Sequence, residues 1–137
     1  MKSTYKLTIA LLAGAAIGGL AIHGLHAQTK APVYYIAEID VTNPDAYAKE
    51  YAPKAQALIK ASGGRFLAIG GAAATGGKVT AFDGDAPKRV VVQVWDSMEK
   101  IQAWRANPEY LELRKVGEKY AKFRSFAVDA LPATGTN

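Results

Sequence analysis

The chain has 137 residues, no cysteine, a hydrophobic share of 50% and 21% charged residues, which places it with single globular domains and excludes disordered or disulfide-stapled chains. Its formal net charge of +5 falls to about +3 once Lys2 and Lys6 at the N-terminus are set aside. The remaining Lys and Arg are interleaved with Asp and Glu, so the pattern is a solvated surface and no nucleic-acid partner is expected.

Residues 1–27 read as a signal peptide: Lys2 and Lys6 form a basic start, Leu7 to Ile22 is an apolar run of mostly Leu, Ile, Ala and Gly, and Ala27 is a small residue suited to cleavage. The expected location is therefore periplasmic or secreted. The alternative is an inner-membrane anchor, since the run approaches the ~20 residues of a span and Gly14 and Gly18 form a small-xxx-small pair. Export without cysteine leaves the mature fold to be held by its core alone.

A short polar linker, 28–32, precedes a domain expected over 33–131. Val33 to Asp40 has the β-branched and aromatic content of a strand. Thr42 or Asn43 can cap the helix that follows, with Pro44 at its first turn. Tyr47, Tyr51, Ala55 and Leu58 recur at helical spacing, Pro53 inside the pattern predicts a kink, and Gly63-Gly64 ends it. Arg65 to Gly70 reads as a second strand, residues 71–77 as a loop or bulged interruption, Lys78 to Phe82 as further strand, and Asp83-Gly84-Asp85 as a turn. Arg89 to Trp95 is the clearest strand. Ser97 caps a helix carrying Met98, Ile101 and Trp104, and Asn107-Pro108 restarts one whose face is Tyr110, Leu113, Val116 and Tyr120. Phe123 to Ala130 is the last strand, and 132–137 a loose tail.

This order is β-α-β-β-α-β, the ferredoxin-like α+β arrangement: an antiparallel sheet with helices on one face. The other face is left bare. Alternation assigns Val33, Tyr35, Ala37 and Ile39 to the helices and Tyr34, Ile36, Glu38 and Asp40 to the bare face. The same division by polarity sends Val90, Val92 and Val94 to the helices, and Arg89, Val91, Gln93 and Trp95 to the bare face. A half-apolar open sheet needs covering, and a second copy of the chain is the expected cover, giving a homodimer.

Tyr51-Ala52-Pro53-Lys54, Gly63-Gly64-Arg65-Phe66-Leu67 followed by Gly70-Gly71, Trp95-Asp96-Ser97, and Ala103-Trp104 leading to Asn107-Pro108-Glu109-Tyr110 together resemble the bacterial family of domain of unknown function 1330 over Val33 to Leu131. That resemblance implies the dimeric α/β-barrel superfamily, in which two ferredoxin-like sheets pack face to face and often enclose a pocket. Several of its relatives are small oxygenases, isomerases or haem enzymes. Ile69 departs from the family pattern, where many members carry Arg before the paired glycines, so no anion site is assigned there.

Both histidines, His23 and His26, lie in the leader. The mature domain therefore lacks the imidazole and thiol needed for Ser-His-Asp or Cys-His catalysis, ordinary zinc sites or ligated haem, and no cofactor or metal is expected. Gly70 to Val79 superficially resembles a phosphate loop, but Lys78 is one place late and Val79 stands where a hydroxyl residue is required. Asp83 and Asp85 are too few for a cation loop. Tyr47, Tyr51, Trp104, Tyr110 and Tyr120 read as core packing, and Arg105, Arg114 and Lys115 as a solvated helix surface.

The best catalytic candidate is Glu38, a carboxylate expected beside Tyr34 on the open face with Gln93 and Trp95 on the neighbouring strand, where a partly dry pocket could turn it into an acid or base. Pairing of Glu38 with Arg65, Arg89 or Arg124 across a dimer seam is the competing expectation. The ligand-binding candidates are Tyr34, Glu38, Gln93, Trp95 and Arg65. The leading functional expectation is a small organic ligand held in the barrel between two sheets. A cofactor-independent oxygenase or isomerase, and a structural module with no pocket, are the alternatives.

Overall fold

The computed structural model describes residues 30–71 and 76–133; the expected leader, residues 1–27, lies outside them. Four strands form one antiparallel sheet: β1 (Val33–Val41), β2 (Arg65–Gly71), β3 (Arg89–Trp95) and β4 (Ala121–Asp129), in the order β2-β3-β1-β4. With helices between β1 and β2 and between β3 and β4, this is the ferredoxin-like α+β fold, helices packed on one face.

Asn43 starts the first helical segment, α1 (Pro44–Ala46), its Oδ1 accepting from Ala46 N–H at 3.2 Å. Thr42, the other capping candidate, instead donates its hydroxyl to the Tyr120 carbonyl at 2.9 Å. A π-helical turn, Tyr47–Tyr51, comes next, then α2 (Ala52–Ala61). Pro53 explains the turn: it can donate no N–H, and immediately before it the Ala52 N–H reaches five residues back to the Tyr47 carbonyl. Gly63, at φ 104°, reverses the chain after α2, and Gly64 N–H closes onto Ile59 O at 2.9 Å. Helices α3 (Met98–Ala106) and α4 (Pro108–Glu118) are capped by Ser97 and Asn107 side chains as the sequence indicated.

The core lies between sheet and helices. Val33, Tyr35, Ala37 and Ile39 of β1 are buried there with Tyr47, Tyr51, Leu58, Ile59, Ile101, Trp104 and Tyr110. Trp95 is the largest fully buried side chain, at 0% exposure. It stacks on Trp104 at 5.2 Å, and its Nε1–H donates to Gln93 Oε1 at 2.9 Å.

Two expectations are corrected. Lys78 to Phe82 forms no strand: β2 is an edge strand, its outer side meets the returning chain, among the described residues, through a single bridge between Gly70 and Gly77, and Phe82 is 93% exposed. More consequentially, β3 faces the opposite way. Tyr35 lies directly across from Gln93, Ala37 from Val91, Ile39 from Arg89 and Val33 from Trp95, and residues directly opposite in an antiparallel pair share a face. Arg89, Val91, Gln93 and Trp95 therefore point to the helices, and Val90, Val92 and Val94 to the open face.

Candidate functional site

The expected cluster on the open face is split by this register. Tyr34, Glu38 and Arg65 do lie on that face, since Arg65 pairs with Val94, which pairs with Tyr34. Gln93 and Trp95 lie on the other side of the sheet, within the core. Tyr34 and Glu38 are themselves four residues apart along β1, roughly 13 Å. Glu38 is opposite Arg124 of its own chain and accepts from its Nη1 at 2.7 Å, the pair being well exposed. Its carboxylate is thus committed to a cross-strand neighbour within the same chain. Arg65 reaches Asp96 at 3.4 Å at the sheet margin, where Lys100 also holds Asp96 at 3.0 Å. The hydrogen bond and charge of Lys100, with Arg65 adding to them, keep the Asp96 carboxyl below the usual range.

On the helix face, β1, β3 and the π-turn enclose a cavity of about 50 Å³, measured as room for the centres of water-sized atoms. On that measure a single water takes about 10–15 Å³, so the space suits several waters or one small ring. Its walls include Tyr35, Tyr47, Tyr51, Trp104 and Tyr110, with Arg89 and Gln93 entering from β3. The π-turn matters here. It turns both Tyr47 and Tyr51 inward, rings 5.2 Å apart, where both are buried. Burial raises the ionisation of Tyr47, Tyr51 and Tyr110 above the ordinary phenol value, against the pull of Arg89 on Tyr47 and of Arg114 on the other two.

Arg89 is the exceptional group. It is 3% exposed, its Nε and Nη1 have no hydrogen-bond partner, and its guanidinium carbon stands 5.6 Å from the Tyr47 ring centroid. The indole Nε1 of Trp104, in the same wall, is likewise buried without an acceptor. A buried unsatisfied donor costs about 1–3 kcal/mol and a charged one more. No Asp or Glu is among the described residues lining the cavity, while Arg114 adds a second cation there.

Arg105 and Arg114 also depart from the solvated-surface expectation. Arg105 donates to the hydroxyls of Tyr35 at 2.7 Å and Tyr110 at 3.0 Å, and the Arg114 guanidinium lies 3.6 Å over the Phe123 ring. The five aromatic residues expected as packing are indeed packed, but four of them, Tyr47, Tyr51, Trp104 and Tyr110, also line the cavity. Sequence polarity missed Arg89 as a site residue. The available signal was Trp95: a tryptophan demands burial, and its alternation carries Gln93 and Arg89 inward with it.

Among the described residues no group of three or more His, Cys, Asp or Glu is placed to hold a metal ion, and no helix is long and apolar enough to cross a membrane.

Residues 32–131 match the family described as domain of unknown function (DUF1330). The chain belongs to this family. A search of curated proteins gave no match. Among solved structures, the DUF1330 domain is similar to SnoaB, a cofactor-independent oxygenase from Streptomyces nogalater, with 14% identity and a TM-score of 0.53 over 77% of this chain and 99% of that one. It is similar also to RPA0582, a protein of unknown function from Rhodopseudomonas palustris, with 15% identity and a TM-score of 0.55 over 82% and 92% of the two chains. At such identities the likeness establishes the fold of the DUF1330 domain and leaves its chemistry to its own residues.

Proposed function

We propose that this DUF1330 domain binds a small organic ligand, and that the ligand sits within each protomer, between sheet and helices, instead of in the barrel between two sheets. The observation that carries this reading is the aromatic-walled cavity itself, framed by a π-turn and containing polar groups that the protein leaves unpartnered. Cores of this size are ordinarily close-packed, so a cavity with hydrogen-bonding donors in its wall is better explained by an occupant than by packing.

The open face supports a homodimer. Phe126 and Val128 are exposed at 42% and 53%, and Ile36, Val90 and Val92 lie only half-buried beside them. A second sheet would cover this surface. The oxygenase or isomerase alternative loses its proposed acid, since Glu38 is ion-paired on the face opposite the cavity; a catalytic role would fall to the phenols and guanidinium groups within it. Export through the leader is proposed on the sequence pattern alone.

Native mass spectrometry of the protein purified from its own host tests ligand and dimer together. The expected result is a dimer carrying a reproducible extra mass that denaturation releases. A dimer without added mass that also takes up no small aromatic compound at millimolar concentration overturns the ligand reading, and a monomer overturns the dimer.

A further inference from the structure

We infer that the ligand of this cavity is an anion, a carboxylate or an ionised enol or phenol on a planar ring, and that Arg89 is its receptor. The inference rests on the ligand-binding reading above and adds the charge of the ligand and the atoms that hold it. Arg89 is buried to 97% and offers Nε and Nη1 with no partner. Nε and Nη1 direct their N–H groups to different sides of the guanidinium plane, so each can donate a charge-assisted hydrogen bond to an anionic oxygen on its own side.

Three further features point the same way. Arg89 and Arg114 line the cavity, and among the described residues no carboxylate does. Arg114 has its own partner, Glu118, at 3.2 Å, whereas Arg89 meets Tyr47, by its ring and its phenol, and keeps Nε and Nη1 unpartnered. The walls on either side are rings, which suit a flat apolar body behind the charged group. The unpartnered Nε1–H of Trp104 is a second donor, so a ligand with another acceptor gains a further bond. A guanidinium kept only for stability would be paired, because an uncompensated buried charge is among the most destabilising arrangements available to a fold.

The test compares benzoate with benzyl alcohol, its neutral near-isostere, by calorimetric titration of the wild type and of Arg89→Met. Benzoate is expected to bind the wild type at least tenfold more tightly than benzyl alcohol, and that preference should fall below twofold in Arg89→Met. The ligand-free Arg89→Met protein is expected to melt above the wild type, since a flexible apolar side chain replaces an unpaired buried charge. Equal affinities in the wild type would overturn the anion inference and leave the cavity reading standing. Binding of neither compound would overturn both. Should Arg89→Met melt several degrees lower and still prefer benzoate, Arg89 is structural and the receptor role is refuted. The wild-type comparison decides the matter even if the variant does not fold.

Discussion

Gly117→Ala in α4 sets two effects of known size against each other. Alanine in place of a helical glycine ordinarily gains about 0.5–1 kcal/mol. Here a Cβ on Gly117 would stand 2.6, 2.7 and 3.0 Å from three atoms of the Tyr51 ring, where carbon atoms rest at about 3.5 Å or more. The ring must retreat by about 1 Å. It is buried, with Tyr47 at 5.2 Å and Phe123 at 5.5 Å, so the open direction is into the cavity. Overpacking of this kind costs about 1–3 kcal/mol. The clash should win, leaving a net loss of about 0.5–2 kcal/mol, or several degrees in Tm for a domain of this size. Urea unfolding followed by circular dichroism would read it as a lower midpoint at unchanged slope. In a Tyr51→Ala background the obstacle is gone, and the same glycine replacement should become neutral or stabilising. A higher midpoint for the single Gly117→Ala variant would refute the packing argument, because helix propensity would then have prevailed over the contact.

Trp95→Ala should lose about 3–5 kcal/mol, since it empties the most buried position of the sheet and strands Gln93; a loss under 1 kcal/mol in denaturant melts would show that β3 does not face the helices. Glu38→Gln should change stability by about 1 kcal/mol or less and leave cavity binding untouched, because its partner Arg124 is 73% exposed; a large fall in ligand affinity would return Glu38 to the site. The phenols of Tyr47, Tyr51 and Tyr110 are raised in the folded protein by burial. Their contribution to stability is complete below the ordinary tyrosine value near ~10 and is lost as pH climbs through the higher folded values. Tyrosinate absorbance of these three should therefore lag behind a model phenol until alkaline unfolding releases it, whereas titration at ordinary values would contradict their burial.

Much of this molecule was legible in its sequence. The β-α-β-β-α-β order, the caps at Ser97 and Asn107, the buried face of β1 and the aromatic stripes of the helices follow from local preferences and periodicity, which act over a few residues and leave their mark in the string. The family resemblance over Val33 to Leu131 likewise rests on turns, caps and core aromatics in fixed order. The π-turn was partly visible, as Pro53 announced a disruption without saying what form the backbone would give it.

The facing of β3 was another matter. In Arg89 to Trp95 both alternate sets look plausible inside: one is all valine, the other carries Arg and Gln together with Val and Trp. Polarity favoured the valines, but facing is settled by register against β1, and that pairing places Arg89 opposite Ile39 and Gln93 opposite Tyr35. A shift of one residue in such a strand exchanges its two faces completely. The sequence by itself thus determined which elements form and in what order, because those choices are local. Only the tertiary structure decided which side of β3 meets the helices, and with it that Glu38 is paired at the surface while Arg89 keeps two unpartnered nitrogens in an aromatic cavity, because that choice depends on pairing between residues fifty or more apart in the chain.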